Sequence, residues 1–250
     1  MRLFVSLSYN GKSYCGWQAQ PNAPTVQAAV ERALSLAFGQ QVSVVGAGRT
    51  DAGVNASFYI AHFDLALDSI ADTASVLYKI NAILPMDIRA NGLYRVSDDA
   101  HARFDAISRS YRYFVHTEKD PFAANSCYFK FPCDMDAMNE AASCLLGEHD
   151  FSSFEKTGAD NATSICNVSE ARWENLDRTH MVFNISANRF LRNMVRAIVG
   201  TLLEVGRGRH GTEWVAEVLA SRDRGSAGQS VPGEALFLSD VRYPYPLTTI

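Results

Sequence analysis

The chain has 250 residues, 47% hydrophobic, 11% aromatic and 20% charged. That excludes wholesale disorder and allows one large domain or two ordinary ones, each with a substantial core. The formal charge of −4 excludes a basic surface overall, so contact with a nucleic acid needs a local patch. The basic residues are 18 Arg and 5 Lys, a skew towards the side chain suited to planar contact with carboxylates and phosphates. No stretch approaches the roughly 18–20 apolar residues of a membrane helix. The apolar run within residues 1–7 is too short for a signal peptide, so a soluble, cytoplasmic protein is expected. The cysteines (Cys15, Cys127, Cys133, Cys144, Cys166) are odd in number and form no Cys-x-x-Cys pair. Free thiols are expected, with no zinc site or disulfide framework.

Leu3, Val5, Leu7 and Tyr9 alternate with other residues, which predicts a strand, and Asn10-Gly11 predicts a turn. Val26, Ala29, Val30, Ala33, Leu34 and Ala37 have helical spacing, with Thr25 as N-cap and Gly39 as stop. Residues 42–45 and 57–65 read as strands flanking a Gly-rich loop. A helix runs from Asp72 to about Leu84, where Pro85 ends it, and residues 88–96 are extended. Residues 110–116 form a strand rich in Tyr, Phe and Val, and Asp134 caps a helix to Leu146. Residues 166–174 and 181–187 read as paired strands. Asn188 is expected to cap a long helix through Val205 that Gly206 stops. A shorter helix over 212–220 and a late strand over 235–241 follow. The polar stretch 155–164 reads as a mobile loop, and 222–233, rich in Gly and Ser, is a second polar stretch. The pattern is α+β in two halves that meet near residues 97–108.

Three segments could carry chemistry. Gly46-Ala47-Gly48-Arg49-Thr50-Asp51-Ala52-Gly53-Val54 holds three glycines in eight residues and displays Arg49, Thr50 and Asp51 together. An ordinary turn, with Asp51 bonded to its own backbone, explains this spacing equally well. A phosphate loop does not, because there is no Gly-Lys-Ser/Thr and no helix follows. Arg189, Arg192 and Arg196 fall at three- and four-residue spacing and would share one helix face, beside an apolar stripe of Phe190, Met194, Ile198 and Leu202. A solvated basic face is the plain reading. The functional one needs anions opposite: RNA phosphates for the outer arginines and a carboxylate for Arg196, which sits nearest the apolar residues. Gly200, one turn on, permits close approach. On a strand, Arg109, Tyr111 and Tyr113 share one face, and Arg beside an aromatic ring can hold a phosphate and stack a base. A strand with a core Tyr is the plain alternative. The six histidines show no ligand spacing, and no nucleophile elbow is present.

These motifs resemble, in order and spacing, the tRNA pseudouridine synthase A family. Gly16-Trp17-Gln18 comes first, then residues 47–54, Ala102-Arg103-Phe104, Tyr111-Arg112-Tyr113 and residues 147–154. They continue with Phe190-Leu191-Arg192-Asn193-Met194-Val195-Arg196, Val199-Gly200-Thr201-Leu202 and the closing Ser239–Pro244 segment. The resemblance spans essentially the whole chain. Asn55 stands where the family has His, Glu155-Lys156 where arginine is common, and Glu234-Ala235 where it has Gly-Leu.

The resemblance implies two α/β domains, 1–104 with the Asp loop and 105–250 with the Tyr strand and Arg helix. They would share an extended, mainly antiparallel sheet flanked by helices and loops, with a central active-site cleft. It implies an isomerase that converts uridine to pseudouridine in the tRNA anticodon stem-loop, at positions 38, 39 and 40. A homodimer is implied, with no cofactor, no metal and no membrane. Asp51 takes the position of the catalytic carboxylate, Tyr111 that of the base-stacking tyrosine, and Arg196 that of the arginine paired with the carboxylate. Arg49, Arg109, Arg189 and Arg192 would contact RNA, with Arg49 filling the space a flipped uridine leaves. Whether Asp51 attacks C1′ or C6, or removes the 2′ proton, stays open. A binding module that has lost activity would be expected to lose Asp51, Tyr111 and Arg196. A metal hydrolase built on Asp51 would need a second carboxylate or a His cluster.

Overall fold

The computed structural model describes residues 1–158 and 162–250. The chain divides into two compact units, Met1–Ile107 with Leu238–Ile250, and Ser108–Phe237.

In the first unit, strand β1 (Arg2–Tyr9) is followed by a 3-10 turn at Gly11–Ser13 and helix α1 (Val26–Phe38). As the spacing predicts, the Thr25 side chain caps α1 by accepting from Ala28 N, and Gly39 ends it in the left-handed region at φ 67°. Short β2 (Val45–Gly46) leads into the Gly-rich loop and β3 (Asn55–Asp64) leaves it. Helix α2 (Thr73–Ile83), capped by Asp72, precedes β4 (Ile88–Arg95). Strand β1 pairs antiparallel with β3 on one side and β4 on the other. It has no free edge, and its buried run Leu3–Leu7 shows no polar face. Phe63 of β3 meets Phe38 of α1, and Val30, Leu34 and Ile80 bury the inner faces of the two helices.

The second unit opens with β5 (Ser108–His116) and short β6 (Cys127–Tyr128), which pair in parallel. Helix α3 (Met135–Ser143), β7 (Gly147–Asp150), β8 (Ile165–Asn175), β9 (His180–Ala187), α4 (Met194–Gly206) and α5 (Trp214–Ser221) follow. The sheet order is β5-β9-β8-β7, antiparallel throughout. Trp173 of β8 packs on Phe183 of β9, and both are buried with Met138 of α3 and Ile198 of α4. Strand β10 (Leu236–Arg242) begins here, but from Leu238 onward belongs to the first unit, where it lies beside β3. There β11 (Thr248–Thr249) closes the chain against β4.

One helix begins later than its spacing predicts. Helix α4 starts at Met194, not after Asn188, because Asn193 sits at φ 67° in the left-handed region and a helix cannot run through that conformation. Residues 188–193 precede it as a turn. The Asn188 amide donates to Asn167 O (3.1 Å), and its side-chain oxygen accepts from Asn167 N (2.9 Å). Arg189 and Arg192 therefore share no helix face with Arg196. The helix itself is buried on nearly every side, which replaces the expected basic stripe with a core element.

The polar stretch 155–164 includes residues 159–161, which lie outside the described residues; at its ends Ser164 Oγ donates to Glu155 Oε2 (2.8 Å) and Phe151 N to Ser164 O (3.0 Å). All five cysteines are free. Among the described residues, no helix is long and apolar enough to cross a membrane.

Candidate active site

The loop that carries Asp51 is built from close backbone approaches. Strand β2 joins β3 through Val45 opposite His62 and Gly46 opposite Ala61, and Ala47 N donates to Ile60 O (2.8 Å). A Cβ on Gly46 would lie 2.0 Å from the Tyr59 hydroxyl and 2.7 Å from the Trp17 indole, so only glycine passes beneath these stacked rings. A second strand of chain braces the loop. Trp17 N donates to Thr50 O (3.2 Å) and Gly53 N to Tyr14 O (3.3 Å). Gly16, at φ 95°, lies so near that a Cβ there would be 2.5 Å from Thr50 O. The Gly-Trp-Gln segment is thus the loop's support.

Side chains complete the brace. Tyr9 and Thr50 share a buried hydroxyl–hydroxyl bond of 2.9 Å, and the Tyr59 hydroxyl donates to Gly48 O. Asn55 is buried, and its Oδ1 accepts from Gly11 N (2.8 Å). Asn55, at the position where the resemblance led to an expected His, is therefore an internal tie between the loop and the turn after β1. Asp51 sits half-buried in this frame, its own carbonyl accepting from Val54 N (3.2 Å). Arg49, exposed beside it, donates from Nε to Gln18 Oε1 (3.2 Å). The loop presents a carboxylate and a guanidinium from backbone fixed on several sides.

The second unit holds the other expected residues. On β5, Tyr113 is fully buried and donates to Pro232 O (3.0 Å), and burial pushes its hydroxyl far above the ordinary tyrosine range. Tyr111, two residues earlier, is half-buried and meets Phe190 edge-on, with ring centroids 5.0 Å apart. Arg109 donates to Asn188 O (2.9 Å). The turn 188–193 thus brings Phe190 and the Asn188 carbonyl to the Arg109/Tyr111 face of β5. Phe190 belonged by spacing to a helix stripe, so its role beside Tyr111 was not visible from the sequence. Arg189 lies where its charge acts on the buried Cys166 thiol, which burial pushes up to about 11. Arg192 is exposed, and its carbonyl accepts from Lys156 N (3.0 Å).

Arg196 is half-buried on α4 and exchanges two bonds with one residue: its Nε donates to Val231 O (2.7 Å) and Val231 N donates to its carbonyl (3.2 Å). The neighbouring segment is clipped to the same helix. Gly228 N donates to Thr201 Oγ1 (3.0 Å), and Asn193 Nδ2 to Ser230 Oγ (2.6 Å). Gly200 makes the close approach its position suggested, since a Cβ there would lie 1.8 Å from Gln229 O. The guanidinium is held at one edge by a carbonyl, which fixes its direction. Among the described residues, no group of three or more His, Cys, Asp or Glu is gathered to hold a metal ion.

Comparison with known proteins adds the chemical context. The family model described as tRNA pseudouridine synthase matches residues 141–244. A tRNA pseudouridine synthase A of Parabacteroides distasonis is 50% identical over 248 residues, covering 98% of this chain and 97% of its own. One of Porphyromonas gingivalis is 49% identical, covering 98% of each chain. A more distant one, of Colwellia psychrerythraea, is 39% identical over 98% of this chain and 94% of its own.

Proposed function

The chain belongs to the tRNA pseudouridine synthase A family, and on that footing we propose that it isomerises uridine to pseudouridine in tRNA with Asp51 as the catalytic carboxylate. The observation that carries the assignment of Asp51 is the braced loop: Thr50 and Gly53 on either side of it are bonded to Trp17 and Tyr14. Such pre-organisation suits a group that must meet a reacting carbon in one geometry.

The reaction breaks the bond from C1′ to N1, turns the uracil and joins C5 to C1′. N1 gains a proton and C5 loses one, so the composition is unchanged. A carboxylate can trap the electron-poor carbon centre and shuttle protons. In this reading Tyr111 stacks on the uracil, a role supported by its half-buried ring beside Phe190 and by the burial of Tyr113. Arg196 pairs with Asp51 and keeps it ionised and aimed, supported by the directional hold that Val231 exerts on its Nε. Arg49, Arg109, Arg189 and Arg192 contact the RNA backbone, with Arg49 filling the space the flipped uridine leaves. They act from a loop, a strand and a turn rather than from one helix stripe.

The finer assignments in this proposal are the anticodon stem-loop at positions 38, 39 and 40, a homodimer with a cleft between two domains, and the cytoplasm as the site of action. The target positions are tested together with the activity by incubating the purified protein with unmodified tRNA and mapping pseudouridine. Pseudouridine at those positions is expected. Its absence from the whole molecule would overturn the function, and its presence only elsewhere would overturn the target.

A further inference from the structure

The Ala102-Arg103-Phe104 motif has no part in the site described above, yet its backbone is tied at every step. His101 N donates to Asp105 Oδ2 (2.7 Å) and Ala102 N to His62 Nδ1 (3.0 Å). The amides of Arg103 and Phe104 both donate to His101 Nδ1 (3.1 Å each), and Asp105 N donates to His101 O (3.1 Å). The C-terminal segment adds two clamps: the Tyr245 hydroxyl donates to Asp105 Oδ2 and the Tyr243 hydroxyl to Ala102 O, both at 2.7 Å. Five successive amides held in this way make a rigid turn.

What the turn holds up is an apolar surface in water. Buried His62 sits edge-on to His101, at 4.7 Å between centroids, and the Phe104 ring stacks on His101 at 4.2 Å and 28°. Phe104 remains 76% exposed. The Arg103 guanidinium carbon lies 5.7 Å from its ring centroid. Packing does not account for a phenylalanine displayed on a scaffold this well bonded. An exposed aromatic ring with a cation beside it matches the chemistry of an unstacked base and its phosphate.

We propose that Phe104 is a stacking platform for an unpaired nucleobase of the RNA substrate, with the neighbouring Arg103 for the adjoining phosphate. This rests on tRNA being the substrate. Phe104 is a binding residue and takes no part in the bond changes.

The test uses a fluorescently labelled, unmodified tRNA transcript and the full chain with Phe104→Ala, Phe104→Leu or Phe104→Trp. Ala and Leu should each weaken binding by anisotropy about tenfold, within the range known for base–aromatic stacking. KM should rise while kcat stays near wild type. Trp should keep wild-type affinity, and its added fluorescence, taken as the difference from wild type, should be quenched by tRNA. Wild-type affinity in the Leu or Ala variant would overturn the proposal, since bulk alone or nothing at all would then suffice. An unquenched Trp would also overturn it, as would a change of mass in light scattering, which would give Phe104 to a second copy of the chain. If the wild type forms no pseudouridine, the functional reading fails whatever Phe104 does. If the wild type converts tRNA and the Ala variant binds it equally well, only the platform fails.

Discussion

His62 shows how one buried side chain can set a property of the whole protein. Its Nδ1 must be unprotonated to accept from Ala102 N. Burial, aided by the nearby charges of Arg2 and His101, lowers its pKa from 6.5 to about 4. An unfolded chain takes up this proton near 6.5 and the folded one only near 4. Between these values the unfolded state binds more protons, so stability is full above the range and falls as pH drops through it. His116 is shifted the same way by burial, whereas Asp64, Asp150 and Asp177 are held below their ordinary values and act at lower pH. The urea midpoint should therefore fall on acidification between those two values, and His62→Asn should flatten most of the decline. An equally steep decline in the variant would contradict this. Other residue roles differ in how visible they are in the sequence. The glycines around Asp51 mark a constrained loop by their number alone. Asn55 gives no such sign, because its partner, Gly11 N, lies 44 positions away.

At the scale of elements, local signals wrote most of the boundaries. Thr25, Asp72 and Asp134 each cap the helix expected of them, since each accepts a bond from an amide three residues on. Helix α4 is where that logic failed. The 188–205 stretch has unbroken apolar spacing, and nothing local shows that Asn193 will turn left-handed to reach Ser230. Gly206 does end the helix, with the Met138 side chain packed where a Cβ would be; the left-handed residue is Gly208, at φ 74°. Gly200 carries the clearest consequence. Gly200→Ala would force α4 away from the 228–231 segment that bonds Arg196, an overpacking cost of roughly 1–3 kcal/mol. Gly48→Ala, with nothing within 4 Å of the added carbon, should change stability by less than about 0.5 kcal/mol. Urea denaturation of both variants checks this, and equal losses would contradict it.

At the scale of the molecule, a net charge of −4 coexists with an RNA substrate because contact depends on where arginines stand rather than on their sum. Long-range pairing was the least legible feature. That residues near 235–241 form a strand follows from their composition. That β10 runs beside β3, some 180 positions earlier (Ser57 Oγ to Leu238 O, 3.5 Å), does not. Candidate residues from distant segments could be named through resemblance to a family, while spacing alone left Asp51 an ordinary turn residue. The central claim is that the carboxylate of Asp51 performs the chemistry and that binding depends on other residues. The most direct measurement incubates unmodified tRNA with the Asp51→Asn protein, following tRNA binding and pseudouridine content in parallel. Binding near the wild-type level with no pseudouridine formed is the predicted result. Conversion by the Asn variant at the wild-type rate would contradict it.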